Sequence, residues 1–232
     1  MDRLVPGYRK FKTDVFPKHK DRFKLLADNQ RPHTLFIACS DSRVVPDMIV
    51  QSEPGELFIC RVVGNLVPAH GAPMGGVSSA IEYAVMVLGV EHIVVCGHSD
   101  CGAMRAFLHP EKLAPLKAVS AWLEHANMAI TMANEHHAHL QGDAFLEALS
   151  HENVISQLQH LKTHPCVASK LRSGKLQIHG WYFDIGTGSI QQYDEESGRF
   201  EALDAAYEKT LEPAGQRQGL ISSSRSFVSE FA

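Results

Sequence analysis

The stretch Ile93-Val94-Val95-Cys96-Gly97-His98-Ser99-Asp100-Cys101 decides the fold. An apolar run of strand length ends in His-x-x-Cys. The same arrangement occurs earlier, where Leu35-Phe36-Ile37-Ala38 leads into Cys39-Ser40-Asp41-Ser42-Arg43. Short unbroken apolar runs are the pattern of strands covered on both faces, as in parallel sheets. Two such strands lying side by side and parallel deliver their last residues to one edge, the carboxyl end at which open α/β sheets place their sites. That edge then carries two thiols, an imidazole and a carboxylate, from Cys39, His98, Cys101 and Asp41. Soft sulfur excludes magnesium and calcium, and the mixed set suits tetrahedral Zn²⁺.

Outward from this pair, the chain alternates in type. Residues 34–38 and 57–63 read as the first two strands, residues 77–88 as a helix apolar almost all round and therefore buried, and residues 92–96 as the third strand. Gly89 stops the helix. This order predicts right-handed crossovers and an α/β fold with a mainly parallel sheet flanked by helices. Cys101 falls in the first turn of a helix beginning after Ser99, whose positive end favours a thiolate. Helices are expected over residues 118–140 and 145–161. Residues 175–185, the turn Gly186-Thr187-Gly188 and residues 189–193 read as a C-terminal hairpin at one sheet edge. Phe11, Val15, Phe16, Phe23, Leu25 and Leu26 lie among charges, so an N-terminal helical arm broken near Pro17 is expected, apolar enough to pack on a partner subunit. The expected organisation is one domain over residues 1–232: an arm (1–29), a zinc-site core (30–193) and a C-terminal extension (194–232).

Composition narrows the function classes. With 232 residues, 44% apolar and 21% charged, the chain has the make-up of an ordinary globular enzyme. A net charge of -4 leaves no footprint for nucleic acid. No run of eighteen apolar residues offers a membrane span, and the first seven residues lack the apolar segment of a signal peptide, so a cytoplasmic protein is expected. Five cysteines is an odd number. Two of them stand at ligand spacing, which argues against a disulfide framework. Cys60, Cys96 and Cys166 read as small buried hydrophobes. His125, His136, His137 and His139 read as solvated helix histidines, because no cysteine or carboxylate completes a cage around them.

Arg43 separates two readings of the cysteine and histidine set. A structural zinc site closes its sphere with four protein ligands, whereas a catalytic one keeps a position open. Two residues beyond Asp41, Arg43 can hold that carboxylate in a bidentate pair and keep it off the metal. Cys39, His98 and Cys101 then remain as three ligands beside water, and Asp41 is the alternative fourth ligand of a closed state. Asp41 and Arg43 are the expected catalytic pair.

Several stretches resemble the β-class carbonic anhydrases of plant-like and bacterial type. They are Ala38-Cys39-Ser40-Asp41-Ser42-Arg43-Val44, Glu53-Pro54-Gly55-Glu56-Leu57-Phe58, Arg61-Val62-Val63-Gly64-Asn65-Leu66-Val67-Pro68, Ser79-Ala80-Ile81-Glu82-Tyr83-Ala84-Val85, Cys96-Gly97-His98-Ser99-Asp100-Cys101-Gly102, Glu152-Asn153-Val154 and His179-Gly180-Trp181-Tyr182-Phe183-Asp184. The resemblance runs over residues 30–193 and leaves the arm and tail uncovered. It implies a carbonate dehydratase, a zinc lyase in which zinc-bound hydroxide attacks carbon dioxide to give bicarbonate and a proton. It assigns Gln30 and the backbone N–H of Gly102 to substrate oxygens, and Phe58, Val63 and Tyr83 to an apolar substrate pocket. It also implies a homodimer or higher homo-oligomer. Phe36 and Ala38 replace the Trp and Gly with which some bacterial members form a second, inhibitory bicarbonate site, so none is expected here. Two alternatives use the same residues: a carbon disulfide or carbonyl sulfide hydrolase on this scaffold, and a non-catalytic interaction module stabilised by zinc.

Overall fold

A computed structural model describes residues 1–73 and 75–211, with side chains described through residue 208. The end of the expected C-terminal extension lies outside the described residues. The centre of the fold is a six-stranded sheet built from β1 (Thr34–Cys39), β2 (Leu57–Val62), β3 (His92–His98), β4 (Gln177–Phe183), β5 (Ile190–Asp194) and β6 (Arg199–Ala202). Their order is β2-β1-β3-β4-β5-β6. The first four in this order are mutually parallel, and β5 and β6 add on antiparallel. The mainly parallel sheet, its flanking helices and the N-terminal helical segments agree with the sequence.

All six residues of β1 are buried. Its side chains alternate between two cores, as period-two geometry requires. Leu35 and Ile37 pack with Ile81, Ile93, Val95, Leu158 and Leu161 on one face, and Phe36 and Ala38 pack with Val94, Cys96 and Phe183 on the other. Ala38 pairs with Cys96. Cys39 and His98 therefore leave the sheet at the same end.

The 22-residue helix Gly142–Thr163 fixes that end in place. It approaches β3 and β4 at two glycines: a Cβ on Gly97 would stand 2.7 Å from Val154 Cγ2, and one on Gly180 would stand 2.8 Å from Val154 Cγ1 and Leu158 Cδ1. The helix also carries two buried amides. Asn153 Nδ2 donates to the Gly64 carbonyl (3.0 Å) and to it Gln157 is coupled, its Nε2 donating to Asn153 Oδ1 (3.0 Å) while its Oε1 accepts the Val67 N–H (2.8 Å). These bonds satisfy backbone groups of the loop after β2, which would otherwise be buried without partners.

Three readings of the sequence need correction. The segment expected as one helix over residues 118–140 is broken by a 3₁₀ turn at Glu124–Ala126 and ends at His136, and the His125 carbonyl at the break accepts from Gln157 Nε2 (3.2 Å). Helix Pro165–Arg172 was not anticipated, although Pro165 at its first position is a start signal. The expected C-terminal hairpin is present as β4 and β5, and β6 extends it at the sheet edge. The apolar helix before β3, Gly76–Glu82 continuing as a π-helical Tyr83–Leu88, buries one face only: Tyr83, Met86 and Val87 are 44%, 59% and 64% exposed. Apolar character all round does not separate a core helix from one whose outer face meets another chain.

The tight contact at Gly97 yields a measurable outcome. Gly97→Ala should lower the unfolding free energy in denaturant titration by about 1–3 kcal/mol, the range for overfilling a packed core. Gly71→Ala, where nothing lies within 4 Å but φ is +102°, should cost less than this through backbone strain alone.

Candidate metal centre

The ends of β1 and β3 and the turn after β3 bring Cys39, His98 and Cys101 together, all buried, with one ligand atom from each within 4.8 Å of the others. His98 donates from Nδ1 to the Ser99 carbonyl at 2.9 Å, because a carbonyl can only accept. Its Nε2 therefore carries the lone pair. That atom is buried and has no hydrogen-bond partner among the described residues. An unpaired buried acceptor is costly, and a cation relieves the cost. Asp100 precedes Cys101 in the left-handed region at φ 53°, turning the chain so that the second sulfur faces the first.

The two sulfurs behave as a pair. The Cys101 S–H donates to Cys39 and, aided by bonds from the backbone at Asp41 and Gly64, holds the Cys39 thiol well below the usual range. The Gly64 N–H reaches Cys39 Sγ at 3.4 Å, from a glycine at φ +71° whose added Cβ would meet Ala103 Cβ at 3.0 Å. Cys101, sharing its proton with Cys39 and deeply buried, is raised well above the usual range. Cys101 is the N-cap of the four-residue helix Gly102–Arg105, and the N–H groups of Ala103 and Met104 oppose that rise. A divalent cation in place of the shared proton takes both sulfurs as thiolates. Two thiolates and one neutral imidazole fit Zn²⁺, the group's cofactor. Cys60, Cys96 and Cys166 take no part: all five cysteines are unpaired, and burial pushes these three thiols up, Cys96 to about 12.

Beside this set Asp41 and Arg43 are paired. Arg43 Nε donates to Asp41 Oδ1 and Nη2 to Oδ2, both at 2.9 Å, and the Arg43 N–H adds a bond to Oδ1 at 3.0 Å. Chiefly through the Arg43 side chain, the Asp41 carboxyl is held well below the usual carboxylate range. Arg43 is itself clasped from the other side by Asp100, whose Oδ2 and carbonyl accept from Nη1 and Nη2 at 3.1 Å. Arg105 donates to Asp100 Oδ1 and to Asp143, and Arg61 donates to the Asp41 and Cys39 carbonyls. Asp100, Arg105 and Arg61 are members of this network that sequence reading did not single out. Asp100 lies inside His98-Ser99-Asp100-Cys101, where its acidic side chain between two ligands was an available signal.

The residues assigned to substrate fall into two groups. Val63, 43% exposed, directly follows the Val62 paired with Cys39, and Gly102 directly follows Cys101. Phe58, paired with Leu35, stands four residues before that level, roughly 13 Å along the strand at about 3.3 Å per residue. Its ring meets Tyr83 at 5.9 Å between centroids, and Tyr83 lines a cavity of about 870 Å³ together with Gln30. Gln30, Phe58 and Tyr83 therefore gather at the opposite end of β2 from the metal group of the same chain.

A parallel α/β sheet ending in a buried two-sulfur, one-imidazole centre defines the class of metalloprotein. The sequence profile of the family described as "Carbonic anhydrase" matches residues 34–190. A carbonic anhydrase of Pseudomonas aeruginosa is 52% identical over 203 residues, covering 88% of this chain and 92% of that one. The solved β-carbonic anhydrase CcaA superposes with a TM-score of 0.85 at 41% identity, covering 87% of this chain and 98% of that chain. Two tetrameric β-carbonic anhydrases of Sordaria macrospora are represented by a structure with a TM-score of 0.65 at 28% identity, covering 82% and 92%. The chain belongs to the carbonic anhydrase family, in its β class.

The depressed Asp41 carboxyl has a definite sign in stability. A carboxylate whose folded pKa lies below its unfolded value of about 3.9 contributes stability that is complete above that value and is lost as pH falls through the folded pKa. The stability difference between wild type and Asp41→Asn, measured by denaturant titration, should therefore hold steady from neutral pH down to about pH 4 and shrink below it. A difference that vanished between pH 7 and 5 would show that the pair is not formed.

Proposed function

We propose that this chain catalyses the reversible hydration of carbon dioxide to bicarbonate, with Zn²⁺ held by Cys39 Sγ, His98 Nε2 and Cys101 Sγ. The observation that carries the reading is the Asp41–Arg43 pair: it keeps a fourth protein ligand away from a three-ligand centre, which a purely structural site has no use for. Zinc bound to such a set supplies the Lewis acidity that makes water acidic enough to be a nucleophile near neutral pH. The thiolates donate more charge than imidazoles and temper that acidity. In this reading the chain's own residues take the following roles. Arg43, fixed by Asp41 and Asp100, orients the Asp41 carboxylate, which keeps lone pairs with which to accept a hydrogen bond from the attacking water. The backbone N–H of Gly102 donates to a substrate oxygen. Val63, beside Cys39, supplies apolar wall for a nonpolar gas.

The remaining pocket residues, Gln30, Phe58 and Tyr83, serve in the same reading by reaching the centre of a neighbouring copy. The separation of roughly 13 Å along β2 within one chain supports this. So does the exposed apolar surface: helix Leu4–Lys10 buries no residue, Tyr83 and Val87 stand open in the cavity that Gln30 lines, and Met86 is exposed on the same helical segment. A homo-oligomer with a dimer as its unit is the assembly we propose, as the tetrameric relatives' structures also suggest. Residues 30–193 form the zinc-site core, flanked by the arm and the extension. Five unpaired cysteines support a reducing, cytoplasmic setting, and no described helix is long and apolar enough to cross a membrane.

Stopped-flow hydration assays with zinc quantified on the same samples test the reading. Wild type should hold one zinc per chain and turn over carbon dioxide faster as pH rises from slightly acidic to alkaline. Cys101→Ala should lose both metal and activity. Arg43→Ala should keep zinc and lose most turnover, with Arg43→Lys recovering part, since an ammonium cannot form the bidentate fork. Near-native turnover of Arg43→Ala with zinc intact would refute the role given to the pair. Light scattering should return a multiple of 25.6 kDa. Met86→Glu with Val87→Glu should shift that mass downward, and an unshifted mass would exclude this face from the interface.

A further inference from the structure

The face of the sheet turned away from helix Gly142–Thr163 carries a second pair of imidazoles. His92 opens β3 and His179 lies in β4. The register sets His92 opposite Gln177 and His179 opposite Val94, so the two histidines are diagonal neighbours on one face. His92 Nδ1 and His179 Nε2 are 3.2 Å apart, with ring centroids at 5.3 Å. Both are half-buried, at the wall of a cavity of about 580 Å³ that His33 and Tyr207 also line. The floor is rigid: Trp181 packs edge-on against Phe36 at 5.8 Å and donates from Nε1 to Gln192 Oε1 at 3.1 Å. His92 lies six residues before His98 on β3, roughly 20 Å from the Cys39 group at about 3.3 Å per residue.

We propose that His92 Nδ1 and His179 Nε2 form a second divalent transition-metal site, chelating an imidazole-seeking ion such as Ni²⁺, Cu²⁺ or Zn²⁺, with water or a small anion from the cavity completing its sphere. The separation of the two nitrogens fits. Two bonds of 2.0–2.1 Å meeting at a tetrahedral angle span about 3.3 Å, against the 3.2 Å observed. The metal needs both rings neutral, and desolvation, followed by the nearby His92, pushes His179 down to about 4. In the metal-free protein the same two nitrogens share one proton as an N–H···N bond joining β3 to β4, and metal entry replaces that proton. Among the described residues lining the cavity there is no carboxylate, which disfavours magnesium and calcium, ions that take oxygen ligands, and leaves borderline ions that accept nitrogen.

Zinc-loaded protein dialysed against Ni²⁺, with both metals counted on each sample, tests the site. Wild type should hold one zinc and one nickel per chain. His92→Phe and His179→Gln should each weaken nickel binding by at least about tenfold, as expected when a chelate becomes a single imidazole, while zinc stays at one per chain and hydration activity is unchanged. Nickel-edge X-ray absorption of the wild type should resolve two imidazoles, a readout that stands even if a variant folds poorly. No nickel beyond the zinc, nickel gained only as zinc is lost, fewer than two imidazoles in the spectrum, or full nickel binding by both folded variants would each overturn the proposal. The last result would place the ion elsewhere on the chain.

Discussion

Parallel pairing of β1 with β3 is the constraint on which the centre depends. It places Ala38 beside Cys96, so that Cys39 and His98 emerge together, and Asp100, in the left-handed region, then folds Cys101 back onto them. The position of that edge is set by packing. Gly97 and Gly180 allow Val154 and Leu158 to sit against the strands at distances no larger residue would permit. Because a packed interior transmits small displacements, the fold itself holds three ligand atoms from two strands and a turn close together. Preorganisation of this kind reduces the ordering that metal binding would otherwise have to impose.

The second layer is electrostatic. Asp41, Arg43, Asp100 and Arg105 form an alternating chain of charge, with Arg61 tying the backbone of Cys39 and Asp41 to the same network. Most of these groups are partly exposed, and isolated surface pairs of this type contribute little to stability. Their value here is directional. Two thiolates neutralise Zn²⁺, and a third anionic ligand would leave the centre negative and closed. A bidentate guanidinium, itself held by a second carboxylate, offers Asp41 a competing partner with fixed geometry.

Much of this was legible in the sequence because the informative residues follow apolar runs of strand length. The ligand set, the Asp41–Arg43 pairing and the parallel order of β1, β2 and β3 all follow from two short stretches and the alternation between them. What was not legible depends on distance in three dimensions. Nothing in Gly64-Asn65-Leu66-Val67 indicates that the Gly64 carbonyl and the Val67 N–H will be met by Asn153 and Gln157, some 90 residues on. Likewise Phe58 and Val63 read as parts of one pocket, whereas strand geometry sets them at different levels of the sheet. The helix before β3 looked buried because its outer face is as apolar as its inner one, and a single chain covers only the inner one.

The central claim is that two sulfurs and one imidazole hold the metal while Asp41 is kept away from it. Zinc-edge X-ray absorption on the purified protein at mildly alkaline pH measures this directly. The result expected is two sulfurs at about 2.3 Å and one nitrogen at about 2.0–2.1 Å, with a single non-protein light atom completing four ligands, the same shell persisting in Asp41→Asn. A shell of four sulfurs, one of nitrogen and oxygen only, or one that loses a ligand in Asp41→Asn at that pH would contradict it.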